Sequence, residues 1–338
     1  MNNNIWEMGS NFHDCSDLEI KFTDKQSFLE ETELYISGRH ALLDLVTYQS
    51  KYHRLEKIFI PSYYCHDVTK LIEKVVSVEM YHCDPLSTVD VSMFPNKTAV
   101  ILVEYFGNKV KAKGTSNDSM LILDKTHNPF SNYDYDFDVS YTFGSLRKVL
   151  PLSDGGFLTP KLPTSNLEST KDINVVALRD AQKAMRLKTL FLEGYDIDKN
   201  IFLNAYSRFE EFLNENEVIY SLSDKSCESI FHIDYKQILL IKEKNLSYLN
   251  GYYQESSKIK LFINNCYFSF FVKLKDVTAF KLALIRSNVY PVILWPDYNN
   301  DYNLINNYVL ISLHVDFRYR LEDMHKLTKI LDGVFCEL

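Results

Sequence analysis

Short apolar runs alternating with helical periodicity dominate the first two thirds of this chain. Residues 57–60, 75–81, 99–105 and 121–124 are rich in Ile, Val, Leu and aromatic side chains, and each stretch is followed by a turn carrying polar groups. Runs this short, with apolar residues on both faces, predict the buried strands of a mostly parallel sheet. Between them, Ala41, Leu42, Leu45 and Val46 give one buried face to a helix starting near Arg39, with Ser37 placed to cap it. A capped helix of this kind also presents free backbone amides to an anion. Helical spacing resumes over 175–193 and 204–214, after a Ser-, Thr-, Asn- and Pro-containing loop at 162–172. From about residue 235 the order changes. A helix over 235–254, a strand over 267–273, a helix over 277–287, strands over 289–294 and 308–313 and a closing helix over 321–335 predict a small α+β layer. The expected organisation is an N-terminal segment 1–30, a large domain 31–220 and a small C-terminal domain 221–338.

Composition narrows the class. With 338 residues, 46% of them hydrophobic, the chain has enough material for one large core and a smaller one. No apolar run reaches the length of a membrane helix, and Met1-Asn2-Asn3-Asn4 lacks the basic and apolar regions of a secretory leader, which predicts a soluble, cytoplasmic protein with no membrane partner. The six cysteines are scattered without metal-ligand spacing, so reduced thiols are expected and no metal site. A formal charge of -8 offers no footprint for nucleic acid.

The candidate chemistry lies in residues 143–156. Phe143-Gly144-Ser145-Leu146-Arg147-Lys148 is followed, after a proline-containing turn, by Asp154-Gly155-Gly156. Taken alone, a lysine near two glycines is usually a solvated residue beside an ordinary turn. Partial desolvation and a cationic neighbour such as Arg147 would instead lower its pKa and make it an amine nucleophile fit for Schiff-base chemistry. The segment upstream favours that second reading. Met120-Leu121-Ile122-Leu123-Asp124 reads as a core strand ending in a carboxylate, followed by the turn Lys125-Thr126-His127-Asn128-Pro129. Open α/β sheets bind ligands at the C-terminal ends of their strands, and a carboxylate there suits a cofactor with a pyridine nitrogen to keep protonated. Asp124 is also compatible with a helix cap, His127 with a plain turn residue, and Tyr63 and Tyr64 with packing aromatics.

These residues resemble the fold-type I pyridoxal-phosphate enzymes, and within them the DegT/DnrJ/StrS sugar aminotransferases. Asp124, Thr126 and His127, then Lys148 and Asp154-Gly155-Gly156, match that family's strand-end Asp motif and its lysine followed by acidic-Gly-Gly. Ser37-Gly38-Arg39-His40-Ala41-Leu42 is similar to its Gly-Thr-x-Ala-Leu segment. Residues 58–65 and 75–85 are similar to its next two strands and turns, so the likeness spans roughly 30–335. There are departures. Phe143 stands where the family has a Ser, leaving Thr142 or Ser145 for a hydroxyl contact to phosphate; Arg39 replaces a Thr, and its guanidinium fork is suited to phosphate. Cys65 replaces a stacking aromatic, with Tyr64 or His66 as substitutes, and Glu104 replaces a His.

The resemblance implies an α/β fold of that class, with a smaller C-terminal α+β domain, and pyridoxal 5'-phosphate as cofactor. It implies Lys148 as the catalytic, cofactor-holding lysine and Asp124 as the partner of the pyridine nitrogen. It places Gly38, Arg39, Tyr64, Cys65, His127 and Ser145 around the cofactor. The implied reaction moves an amino group from an amino acid, glutamate foremost, to a nucleotide-linked keto-sugar in surface polysaccharide or deoxyamino-sugar biosynthesis, in a homodimer. A smaller keto acceptor, or a non-catalytic sugar- or partner-binding role, would keep the same fold. His314 and Arg318, after the last strand, are further candidates for substrate contact.

Overall fold

Apolar strands separated by amphipathic helices can bury both sheet faces only beneath covering helices. The computed structural model describes residues 4–9, 11–15, 31–116, 118–164, 176–256, 259–295 and 304–337. It divides into two compact units, Phe12–Ile233 and Asp234–Leu338 with the stretch up to Asn11. Numbered along the chain, β1 (Met8–Gly9) belongs to the second unit. The first contains β2 (Glu33–Tyr35), α1 (Gly38–His53), β3 (Lys57–Pro61), α2 (His66–Glu73), β4 (Ser77–Tyr81), β5 (Val89–Asp90), β6 (Ala99–Val103), β7 (Ala112–Lys113), β8 (Met120–Asp124), β9 (Tyr141–Ser145), β10 (Gly156–Thr159), α3 (Val176–Leu192), α4 (Lys199–Glu215) and α5 (Asp224–His232). The second continues with α6 (Tyr235–Tyr253), β11 (Lys260–Phe262), β12 (Phe268–Lys273), α7 (Val277–Arg286), β13 (Val289–Tyr290), β14 (Tyr308–Leu313) and α8 (Leu321–Glu337).

The first unit is organised on a seven-stranded sheet of order β2-β10-β9-β8-β6-β3-β4. The strands from β9 to β4 run parallel, whereas β10 is antiparallel to both β9 and β2. This is the mostly parallel α/β sheet expected from the sequence. Every residue of β6 is buried, as its unbroken Ala-Val-Ile-Leu-Val run requires of a central strand. A parallel arrangement gathers the C-terminal ends of β3, β6, β8 and β9 on one edge, and the turns that follow them carry the candidate chemistry.

Several boundaries differ from those the pattern suggests. The strand expected over 75–81 starts at Ser77, because the Val75 and Val76 amides close the end of α2 on the Ile72 carbonyl. That over 99–105 stops at Val103, where Phe106 (φ 55°) and Gly107 (φ 74°) turn the chain. β13 ends at Tyr290, since Pro291 has no amide to donate, and pairing resumes only as the Val292–Ser312 bridge. Most of the loop expected over 162–172 lies outside the described residues.

The second unit is the small α+β layer. The antiparallel sheet β11-β12-β14 and the pair β1-β13 share a core with α6, α7 and α8 through Phe268, Phe270, Phe280, Leu284, Leu327 and Leu331. The division falls after Ile233, beyond the 220/221 boundary expected from the sequence, because 220–232 is tied into the first unit. Ile36 N donates to Tyr220 O, Leu222 N donates to Leu34 O, and Asp154 holds the start of α5. His314 and Arg318 follow β14 in the second unit. There Arg318 grips Asp316 with two hydrogen bonds of 2.8 Å, and His314 Nδ1 lies 3.6 Å from the same carboxylate. Arg318 and Asp316 thus form an internal ion pair that holds the turn after the strand.

Candidate active site

At the end of β8, Asp124 is the last strand residue and is 5% exposed. Its Oδ2 accepts from the Tyr64 hydroxyl at 2.6 Å and its Oδ1 from the Thr126 amide at 2.8 Å. Burial pushes this carboxyl above its usual range while the bonds from Tyr64 and Thr126 pull the other way. No cation bonds to it among the described residues. His127 is buried beside it in sequence, and its Nδ1 accepts the Phe106 amide at 2.8 Å. Burial, then the charge of Lys148, lowers its pKa to about 4, so the ring is neutral at physiological pH with its proton on Nε2.

Glu104, at the neighbouring strand end, accepts from Ser131 and, at 2.9 Å, from the Tyr135 hydroxyl. Burial raises its pKa, while Ser131, Lys125 and Tyr135 oppose the shift. The Glu104 carboxyl is therefore committed to the 131–135 loop. Lys125 is engaged there too, through the Ser131 carbonyl.

At the end of β9 the chemistry is cationic. Arg147 Nη1 lies 2.6 Å from Glu210 Oε1, Lys148 Nζ lies 3.9 Å from the same oxygen, and Arg39 Nη2 lies 3.1 Å from Glu210 Oε2. Burial pushes the Glu210 carboxyl up, but Arg147, Lys148 and Arg39 together hold it well below the usual carboxylate range. For Lys148, Glu210 is the strongest single influence and favours the ammonium; Arg147, desolvation and Arg39 outweigh it and lower the pKa. The side chain is itself 48% exposed, so the neighbouring guanidinium groups more than burial favour release of the proton, as an amine nucleophile requires. Two buried donors, Arg39 Nη1 and Arg147 Nε, have no hydrogen-bond partner among the described residues.

Close backbone approach assembles these groups. Ser37 caps α1, its Oγ accepting the His40 amide at 3.4 Å and meeting His40 Nδ1 at 2.7 Å. A Cβ on Gly38 would sit 2.8 Å from the Gly144 backbone, and one on Gly156 would sit 2.1 Å from Ser37 C. The glycines therefore let the start of α1, with Arg39, press onto β9 and β10 just before Lys148. Asp154, preceding the glycine pair, is fully buried and accepts from the Ser223 amide and hydroxyl at 2.8 and 2.7 Å and from the Ser226 hydroxyl. Its carboxylate anchors the start of α5.

Most sequence-derived candidates thus meet in this one unit. Asp124 with Tyr64, His127, and Lys148 with Arg39 lie at the C-terminal strand edge, and Gly38 packs against the Gly144 backbone. Cys65 precedes α2 as a half-buried free thiol without a capping bond. Ser145 is buried in the β9-β10 pair, with its Oγ donating to the Gly155 carbonyl at 3.4 Å. Sequence reasoning missed Glu210, which arrives from α4, and Thr126 as a partner of Asp124. Thr126 carried a local signal, being two residues beyond a strand-end Asp whose side chain can bond the i+2 amide. Glu210 carried none.

No protein-family model matches the chain, and no curated protein sequence matches it. Solved structures do. Spr1654 from Streptococcus pneumoniae, assigned as a sugar aminotransferase and solved in its PLP form, superposes with a TM-score of 0.58 at 12% identity over 99% of each chain. PseC from Helicobacter pylori, an aminotransferase involved in the biosynthesis of pseudoaminic acid, gives 0.59 at 11% identity over 98% of this chain and all of that one. The sugar aminotransferase CalS13 from Micromonospora echinospora gives 0.55 at 9% identity, again over 98% of this chain. The fold is that of the fold-type I aminotransferases.

Proposed function

We propose that this protein is a pyridoxal-phosphate-dependent aminotransferase that moves an amino group from an amino acid, glutamate foremost, to a nucleotide-linked keto-sugar. The observation that carries this reading is the pairing of Lys148 and Asp124 at the ends of the adjacent parallel strands β9 and β8, with two guanidinium groups beside the lysine. The residues present fit the cofactor. The unpartnered Arg39 Nη1 and Arg147 Nε suit a phosphate, and the buried Asp124 carboxylate, which bonds no cation, suits a protonated pyridine nitrogen. When bound, the cofactor supplies an electron sink for the carbanion formed at the donor's α-carbon.

Around it, each side chain has a task. Lys148 Nζ would hold the cofactor's aldehyde carbon and, once released, carry the proton taken from the donor's α-carbon. Asp124, oriented by Tyr64 and Thr126, would keep the ring nitrogen charged. His127, uncharged and fixed by the Phe106 amide, would pack against the ring without adding a competing charge. Arg39 and Arg147 would anchor the phosphate, and Cys65 would border the ring in place of an aromatic. The sugar acceptor is inferred by analogy with the sugar aminotransferases of the same fold. In this reading the enzyme works as a cytoplasmic homodimer in surface polysaccharide or deoxyamino-sugar biosynthesis.

The test is the absorbance spectrum of the purified protein with pyridoxal phosphate, beside Lys148→Ala, before and after glutamate. A near-visible band that needs Lys148 and is converted by glutamate to a shorter-wavelength form supports the reading, and a panel of nucleotide-linked keto-sugars then finds the acceptor. Absence of the band from the unmodified protein overturns it.

A further inference from the structure

The cationic end of the site is out of balance. Glu210 offers two carboxylate oxygens to three cations, and the pairing leaves two buried guanidinium nitrogens, Arg39 Nη1 and Arg147 Nε, with no partner among the described residues. An unpaired buried donor is unfavourable, so the guanidinium groups are held for Glu210 at a cost in lost hydrogen bonds. A phosphate dianion, with three terminal oxygens and the greater charge, can satisfy more of these donors than a carboxylate can. Both arginine side chains are about nine-tenths buried, at 9% and 11% exposure, whereas that of Glu210 is 36% exposed and has a path to solvent. Its helix has no such freedom. Phe202, Ala205, Phe209 and Leu213 pin α4 into the interior, and Phe209 also lies under the Arg147 guanidinium at 5.6 Å. Any exchange must therefore be a side-chain movement.

We propose that Glu210 is an internal placeholder for phosphate: its carboxylate occupies the Arg39 and Arg147 guanidinium groups in the ligand-free protein and swings toward solvent when a phosphate group takes them. This rests on the reading that the cofactor's phosphate binds here. Affinity for the phosphate is then set by a competition within the protein. The placeholder also keeps Arg39, Arg147 and Lys148 from facing one another uncompensated while the site is empty.

The test is calorimetric titration of inorganic phosphate into the cofactor-free protein and its Glu210→Gln and Glu210→Asp variants. The placeholder role predicts binding at least about tenfold tighter in Glu210→Gln, as expected when a charge-assisted competitor is removed. Glu210→Asp keeps the charge but is too short to span both guanidinium groups, so it should fall between. Adding Arg39→Gln to Glu210→Gln should abolish the gain. Unchanged or weaker phosphate binding in Glu210→Gln overturns the proposal and makes Glu210 a support for the arginines. If Glu210→Gln is unstable in plain buffer, recovery of its thermal transition with phosphate supports the proposal, and failure to recover overturns it. The two readings fail separately. Tighter phosphate binding without a Lys148-dependent band from pyridoxal phosphate would sink the cofactor reading alone. A normal band with unchanged phosphate binding would sink the placeholder alone.

Discussion

The two ends of the site are built on opposite electrostatic plans. At the Asp124 end a single buried carboxylate is held by neutral donors, the Tyr64 hydroxyl and the Thr126 amide, beside a neutral His127. At the Lys148 end three cations share one carboxylate, and two of their donors are left over. The first end has a negative charge waiting for a positive partner, and the second has surplus positive charge waiting for an anion. A molecule carrying a protonated ring nitrogen at one end and a phosphate at the other completes both, which is why the pair of environments argues for the cofactor more strongly than either alone.

Substitutions at the two ends should separate these roles. Lys148→Ala should give the largest effect, loss of the cofactor band and of transamination by at least about 10⁴-fold, the upper range for a positioned proton-transferring group. Measured turnover within a hundredfold of the unmodified enzyme would break the assignment. Next, Asp124→Asn keeps the shape and removes the charge, and should slow transamination by about 10²–10³-fold while leaving phosphate affinity unchanged. At the opposite end, Arg147→Gln should weaken pyridoxal phosphate by at least about tenfold and leave phosphate-free pyridoxal nearly unaffected, a contrast read by parallel titrations.

Stability should also depend on pH through two buried histidines of the first unit, His40 on α1 and His127 after β8. His127 and His40 both fall from 6.5 to about 4, chiefly by burial. The unfolded chain therefore binds more protons than the folded one between these values, so stability is full above pH 6.5 and falls as pH drops toward 4. The loss should approach about 3 kcal/mol for each histidine, measurable by denaturant titration and flattened by His→Gln at either position. The smallest effect is expected for Ser37→Ala, which removes the α1 cap and the hydroxyl facing His40 for about 1 kcal/mol of stability. Differential scanning calorimetry would register it as a drop of a few degrees in Tm.

The Asp124 end was largely legible in the sequence, and the Lys148 end only in part. Asp124 closes an apolar run whose length and burial identify a core strand, so its place at the sheet edge follows from local pattern. Lys148 and Ser37 are legible because turn and cap chemistry act within a few residues, whereas Arg39 stands out only through the family resemblance. Glu210 is different. It is one of 45 acidic residues and sits on an amphipathic helix whose polar face looks like any other, so only the tertiary fold brings it to Lys148. The same limit hid the task of Asp154, whose Gly-Gly neighbours read as a turn although its carboxylate anchors α5 from some 70 residues away. It also displaced the unit boundary, since the ties from Tyr220 to Ile36 and from Leu222 to Leu34 are pairings that no local pattern announces.

The most direct test of the central claim is to trap the cofactor where it attaches. Pyridoxal phosphate would be bound to the purified protein, reduced with borohydride, and the modified peptide mapped by mass spectrometry. Lys125 is a built-in control, since it lies next to Asp124 in the chain but its ammonium is engaged by the Ser131 carbonyl. The account predicts a single stable adduct on Lys148. An adduct on Lys125, or no specific adduct on any lysine, would contradict it.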